Sequence, residues 1–405
     1  MALHELQVLV DDLAQRTRAP AVLEDPQQRM VVYSCQDGPI DKVRRDSILM
    51  RETGPETMRW FRQFGIVGAS APLRIPSHPE LGILGRLCTP VRFRDRLMGF
   101  LFLVDDEQRL AGPDIALVKQ AGIDAGVLLY EEELAQRLSA RVFSHLLAPE
   151  AEMRGAAARQ LVREGMAAAD APHVAICIRP ANAGVPALPE LIGETLSEVF
   201  RRHGQTGLLQ LARPDHGLLL VPIASGSDDR RAAVVAEEAR ATLARRLPGG
   251  AGRRQKSSRR VVAGLGDPQL RLTAASLSRR QALLAARVAA AVPSAGDLAR
   301  WRDLGAFRML VQVSAGEDDQ GSSLDPRLVR LLRADDELAQ TVETYLDLCG
   351  DVKRTAERLQ LHRSTLYYRL AKAAEVTGAD LHDGNDRLAL HLGFKLARLN
   401  GSYPA

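Results

Sequence analysis

Cysteine is scarce in this chain of 405 residues: Cys35, Cys88, Cys177 and Cys349 are scattered without a paired spacing. That argues against a disulfide framework or a cysteine zinc site and fits free thiols in a reducing cytoplasm. Long hydrophobic runs are missing too. "MGFLFLV" and "GLLLVPIA" are of strand length, far short of a membrane span. The opening "MALHELQVLVDDL" carries acids inside its apolar stretch, so no signal-peptide core is read there. Nor is there a large charge imbalance: the net charge is +4, and any hold on nucleic acid must come from a local patch. Nine histidines show no ligand spacing, and "HPE" at His78 and "PDH" at His216 are too short for a metal site. No nucleophile elbow, phosphate-cradling loop or dinucleotide fingerprint is found, and "AGLGDP" from Ala263 reads as a turn. These absences leave no catalytic, cofactor-binding or metal-ligating residue to nominate.

What is present is an ordinary globular composition, 46% hydrophobic and 26% charged, in a chain too long for one core. Residues 1–111 read as α+β. A helix, "HELQVLVDDLAQRT", precedes "PAVLEDPQQRMVVYS", two strand-like runs joined by an Asp-Pro turn. "GRLCTPVRF" and "RLMGFLFLVDD" form a hairpin turning at Arg94-Asp95. Between them, "DKVRRDSILMR" and "GPETMRWFRQFGI" have helical spacing, which implies helices on one face of an antiparallel sheet. Trp60, Phe61 and Phe64 read as core packing, with pocket lining as the alternative.

Residues 112–149 read as one long helix, with apolar positions at Ile115, Val118, Gly122, Ala125 and Leu129, then Leu134, Leu138, Val142 and Leu146. Two readings stand side by side: a helix capping its own domain, and a helix pairing with its twin in a dimer. Residues 150–313 form a second α+β unit. Its strands are "HVAICIR", "GLLQLA", "HGLLLVPI" and "RVVAGLG", and its helices run over 188–203, 228–247 and 270–291. The Gly-rich basic loop "GGAGRRQKSSRR" reads as a solvated loop, with phosphate contact as the alternative. Residues 314–327, "SAGEDDQGSSLDPR", are the clearest linker, and residues 328–400 are helical.

Within that last block, "DVKRTAERL" and "HRSTLYYRLAKAAEVTG" are two helices joined by a turn of three residues, which describes a helix-turn-helix. Leu366 and Leu370 hold the second helix down. His362, Arg363, Ser364, Thr365, Tyr367 and Tyr368 face outward, where such a helix meets base edges in the major groove. Lys353, Arg354, Thr355 and Arg369 complete the candidate DNA-binding set, although either tyrosine could instead be half-buried between helices. Between Asp351 and Lys372 six basic and two acidic side chains leave a surplus of four positive charges, equal to the net charge of the whole chain.

"TAERLQLHRSTLYYRL", with the tail "TGADLHDGNDRLAL", resembles the C-terminal helix-turn-helix of the purine-catabolism regulator (PucR) type of bacterial transcription factors. It also looks like a cousin of the DNA-binding helices of the factor for inversion stimulation. The resemblance implies recognition-helix contacts at His362, Arg363, Thr365, Tyr367 and Tyr368. One departure is "LCGDV", where the family has a Gly-Asn-type turn; Asp351 is expected to cap the second helix nonetheless. Residues 160–310, ending in "WRDLGAFRML", resemble the degenerate GGDEF-type domain of these regulators and of sugar-diacid regulators. An active cyclase of that type needs a Gly-Gly turn followed by acids, and "RPDHG", Arg213–Gly217, offers one carboxylate. Residues 1–130 resemble a GAF-type sensory domain.

The expectation is therefore a multidomain α+β chain: GAF-like sensor, long connecting helix, degenerate GGDEF-like domain and all-α helix-turn-helix. It is expected to be a cytoplasmic, non-enzymatic, sequence-specific regulator of double-stranded DNA. It would act as a homodimer or higher oligomer under an unknown small-molecule effector, with no cofactor and no membrane contact. The alternatives are a nucleotide cyclase or phosphodiesterase with a helical assembly tail, and a signalling scaffold that binds no DNA.

Overall fold

The computed structural model describes residues 2–35, 41–50, 53–168, 171–182, 185, 188–203, 207–224, 229–247, 260–314 and 324–403. Most of the basic loop at 249–260 and of the linker at 314–327 lies outside them. No helix among the described residues is long and apolar enough to cross a membrane.

The first compact unit, residues 1–138, begins with α1 (Ala2–Thr17), β1 (Ala21–Glu24), β2 (Met30–Tyr33), α2 (Lys42–Met50) and α3 (Pro55–Gln63). It continues with β3 (Leu73–Ile75), β4 (Arg86–Phe93), β5 (Arg96–Val104) and most of α4 (Gly112–Leu146). The strands form an antiparallel sheet in the order β2-β1-β5-β4-β3. Alternation along the strands sends Ala21, Leu23, Leu87, Leu101 and Leu103 to one face, under α1 and α4. Val22, Cys88, Phe100 and Phe102 go to the other, against Val43 of α2 and Phe61 of α3. Helices thus clothe both faces, not one, because β4 and β5 carry apolar side chains on each: Leu87 and Leu101 on one, Cys88 and Phe100 on the other. Phe61 is core, while Trp60 and Phe64 pack edge to face at its margin. α4 lies close on β4: a Cβ on Gly126 would stand 2.2 Å from the Arg92 carbonyl oxygen.

The second unit, residues 139–405, holds two domains. The middle one comprises α5 (Ala151–Arg163), β6 (His173–Pro180), α6 (Leu188–His203), β7 (Leu209–Ala212), β8 (Gly217–Pro222) and α7 (Arg230–Arg246). After these come β9 (Val261–Leu265), α8 (Ala275–Ala291), β10 (Leu298–Arg300) and α9 (Phe307–Ser314). The sheet order is β10-β9-β6-β8-β7, with β10 parallel to β9 and the rest antiparallel. α6 and α7 cover one face; α5, α8 and the end of α4, with Phe143 and Leu146, cover the other. The helix expected over 270–291 starts only at Ala275, after a 3-10 turn at Leu272–Ala274. The glycines of "AGLGDP" do not serve a simple turn. Gly264 lies inside β9, where a Cβ would meet the Ala282 carbonyl oxygen at 2.1 Å, so the gap lets α8 rest on the sheet.

Among the described residues five helices follow: α10 (Pro326–Ala334), α11 (Asp336–Asp347), α12 (Val352–Leu359), α13 (Arg363–Thr377) and α14 (Gly384–Leu399). Leu328, Leu331, Val342, Leu346, Leu366, Leu370 and Phe394 meet in their core. α10 shortens the expected linker: the Asp325 carboxylate accepts from the Arg327 N–H at 2.8 Å, and Pro326 occupies the first helical position. The last turn of α14 enters the middle domain, where Leu399 joins the core of α8 and α9, and Arg287 donates to Asn400 Oδ1 at 3.4 Å.

Candidate nucleic-acid interface

α12 starts where Asp351 accepts a hydrogen bond from the Arg354 N–H at 3.0 Å. It stops because Gln360 takes a left-handed conformation, φ 55°, and the Leu361 N–H then reaches back to the Ala356 carbonyl at 2.9 Å. His362 caps α13. Its Nδ1 accepts from the Ser364 N–H at 3.4 Å and lies 2.8 Å from Ser364 Oγ. The turn is therefore closed by Gln360, Leu361 and His362.

Helical spacing then divides α13. Leu366, Leu370 and Ala373 are buried against the bundle, whereas Arg363, Ser364, Thr365 and Lys372 are exposed. Tyr367 and Tyr368 are 59% and 66% exposed, so neither is wedged between helices. Lys353, Arg354 and Arg358 of α12 are also exposed. Five basic side chains thus lie on the exposed surface of α12 and α13, beside two phenols and two hydroxyls.

Two members of the expected set are not on this surface. Thr355 is fully buried, and its hydroxyl donates to the Asp351 carbonyl at 2.6 Å, so it braces the start of α12. Arg369 is half-buried and ion-paired with Glu337 of α11. Its charge is matched within the bundle. Both corrections come from neighbouring elements that the local pattern cannot display.

Other ion pairs keep the platform rigid. Buried Glu343 of α11 receives Arg398 of α14 at 2.5 Å and Lys395 at 3.4 Å. Hydrogen bonds from Arg398 and the nearby Arg guanidinium chemistry favour this pairing over solvation, since a bidentate fork suits a carboxylate. α10, missed by the sequence reading, secures the far end of α13: Arg330 donates to the Thr377 carbonyl at 2.8 Å, and Arg327 bridges Asp325 and Asp386. Its signal was the Asp-Pro pair before "RLVRLLR". In α14 Leu388 is exposed, whereas Leu390, Phe394 and Ala397 point inward.

Residues 338–396, from α11 into α14, match the PucR C-terminal helix-turn-helix domain. Over 65 residues the sequence is 37% identical to the purine catabolism regulatory protein of Bacillus subtilis (strain 168), covering 16% of this chain and 12% of that protein. It is 21% identical to the proline-responsive transcriptional activator PutR of the same organism, over 97% of each chain. These likenesses support a regulator of the PucR type. The DNA-binding transcriptional activator AdeR, also of B. subtilis, is 20% identical to this chain over 98% of it and 93% of AdeR. Residues 156–288 match a GGDEF-like domain, which places that fold on the sheet of β6 to β9. In its β7–β8 hairpin Asp215 lies 2.7 Å from His216 Nδ1, and a hydrogen bond and charge from that ring offset the cost of burial and hold the carboxylate below its usual range.

Proposed function

We propose that this PucR-type chain binds double-stranded DNA sequence-specifically through α12 and α13, as a homodimer or higher oligomer governed by a small-molecule effector. The exposed first turns of α13 carry the reading: Arg363, Ser364, Thr365, Tyr367 and Tyr368 stand clear of the bundle while Leu366 and Leu370 anchor it. Arg363 is read as the bidentate contact to guanine, and Lys353, Arg354 and Lys372 as contacts to phosphate. Selection of bound DNA from a random pool, followed by footprinting, tests this. Arg363→Ala, folded as the parent, should weaken specific binding by about 1–3 kcal/mol. Lys372→Ala should flatten the log–log salt slope by about 0.9 if it neutralises one phosphate. Equal footprints for Arg363→Ala and the parent would exclude direct reading by α13.

A single helix-turn-helix has limited reach, and two half-sites read by two-fold partners supply the rest. α4 favours this. Opposite the side seated on its sheet, Ile123, Val127, Leu134 and Leu138 are exposed. Ile123 and Leu134, like Val127 and Leu138, are eleven residues apart, so they share one nearly straight apolar stripe. We read this stripe as covered by the same stripe of a second copy. Leu134→Lys should shift the chain to monomer in sedimentation and cost specific DNA affinity, while changing folding stability by less than about 0.5 kcal/mol.

The N-terminal domain, an antiparallel sheet clothed on both faces, is read as the GAF-like sensor. The full-length likeness to a proline-responsive activator supports effector control. An effector can act only by favouring one arrangement of the oligomer over another. The GGDEF-like domain is read as non-catalytic, since its hairpin carries one carboxylate, already engaged by His216. The site of action is read as the cytoplasm.

A further inference from the structure

Beneath α2 and α3, the N-terminal domain buries a cluster of charges that DNA binding does not use. Asp41 and Arg86 are matched to each other by an ion pair. Asp41 also accepts from the backbone N–H of Arg44 at 2.6 Å and of Leu84 at 2.9 Å, and the Arg86 guanidinium lies 4.9 Å from the centre of the Phe61 ring. Glu24 and Arg44, 4% and 2% exposed, are satisfied only in part. Glu24 takes one hydrogen bond, from Thr53 Oγ1 at 2.9 Å, on Oε1; Oε2 has no partner among the described residues. Arg44 reaches the Phe102 carbonyl from Nη2 at 3.4 Å, and Nη1 has no partner among the described residues. Gln28, 1% exposed, is tied to the same Thr53 through its carbonyl at 3.0 Å, and neither atom of its side-chain amide is bonded among the described residues.

Protein interiors seldom leave such atoms unmatched, least of all on ions. The unmatched set is also specific in kind. It offers N–H donors from a guanidinium and an amide, and oxygen acceptors from a carboxylate and an amide. Val22, Cys88, Phe100 and Phe102, buried beneath α2 and α3, lie on the same face of the sheet. We propose that this cluster binds a small zwitterion of the α-amino acid class. Its carboxylate is taken by Arg44, its ammonium by Glu24, and its apolar body rests on the phenylalanines. A monocarboxylate leaves Glu24 alone, an amine leaves Arg44 alone, and a dicarboxylate sets a second negative charge near Glu24. Burial pushes the Glu24 carboxyl up to about 7 against the pull of Thr53, Arg44 and Arg86, and a neighbouring ammonium would draw it down.

The proposal rests on reading the N-terminal domain as the effector domain. Thermal shift and calorimetry on the full chain, with the natural L-α-amino acids, their carboxamides and their deaminated acids, test it. At least one amino acid should bind and raise the melting temperature, with its carboxamide and its deaminated acid each about tenfold weaker or worse. Glu24→Gln, which keeps the shape, should lose binding by about the same factor. Should that variant fail to fold, the analogue series on the parent chain decides alone. Binding of the deaminated acid as tightly as the amino acid overturns the proposal, and so does no binding by any amino acid. If none binds while sequence-specific DNA retention persists, this site fails and the regulator reading stands. If one binds without altering DNA affinity, the site stands and effector control fails.

Discussion

The two α+β domains each build on a five-stranded sheet with helices on both faces, yet they bury different things against it. The middle domain is filled on both faces by aliphatic side chains, and its buried hydroxyls are spent locally: Ser278 Oγ accepts from the Ala175 N–H at 2.9 Å, and Thr195 donates to the Leu191 carbonyl at 2.7 Å. The N-terminal domain places Glu24, Asp41, Arg44 and Arg86 under its helices. Taking ions out of water costs more than their attraction returns unless each is fully matched. A dry core is the cheaper way to hold a sheet and its helices together. A domain that keeps incompletely matched ions inside spends stability on something other than folding.

Three experiments would break or sharpen that contrast. The largest effect is expected in the N-terminal domain, where Arg86→Met leaves Asp41 buried and unpaired; urea unfolding should show a loss of about 3–5 kcal/mol. The double variant Asp41→Asn/Arg86→Met should recover part of it, because the two residues are coupled. Next comes Gly264→Ala in the middle domain, at about 3 kcal/mol, since the new methyl meets backbone atoms of α8 rather than a movable side chain. If it were neutral, the close seating of α8 on β9 would be wrong. Smallest is the response to pH, on the order of 2 kcal/mol in each domain and opposite in sign. Glu24 is raised from 4.5 to about 7, so its contribution is complete below 4.5 and fades as pH rises toward 7. Burial lowers His173 from 6.5 to about 4, so its contribution is complete above 6.5 and fades as pH falls toward 4. Hydrogen exchange, resolved by domain between pH 5 and 7, should show the two moving apart. Glu24→Gln and His173→Asn should each flatten the slope of its own domain.

The helix-turn-helix could be read from sequence because its information is local: an apolar period, a three-residue turn and a cluster of positive charge within twenty-two residues. Thr355 and Arg369 escaped that reading since their partners, the Asp351 carbonyl and the Glu337 carboxylate, are revealed only by geometry. In α14, "RLALHLGFKLARL" puts a leucine at nearly every second position, so the pattern permits more than one buried face. The packing of Phe394 against Tyr403, ring centres 5.6 Å apart, settles which one is used. The charged cluster was least legible. "DKVRRDS" looks like a solvated helix, and its partners at 24, 53 and 86 come from separate elements. Residue type argues for exposure where the fold imposes burial.

The end of α14 has a practical consequence. Leu399 is lodged among α8 and α9, so the reading head and its neighbour share a seam of core rather than a mere tether. Cutting the chain at the linker would bare grease on both pieces, and an isolated head should be stickier than the intact protein. Whatever turns the middle domain must swing the C-terminal helices with it, as a blade turns with its handle.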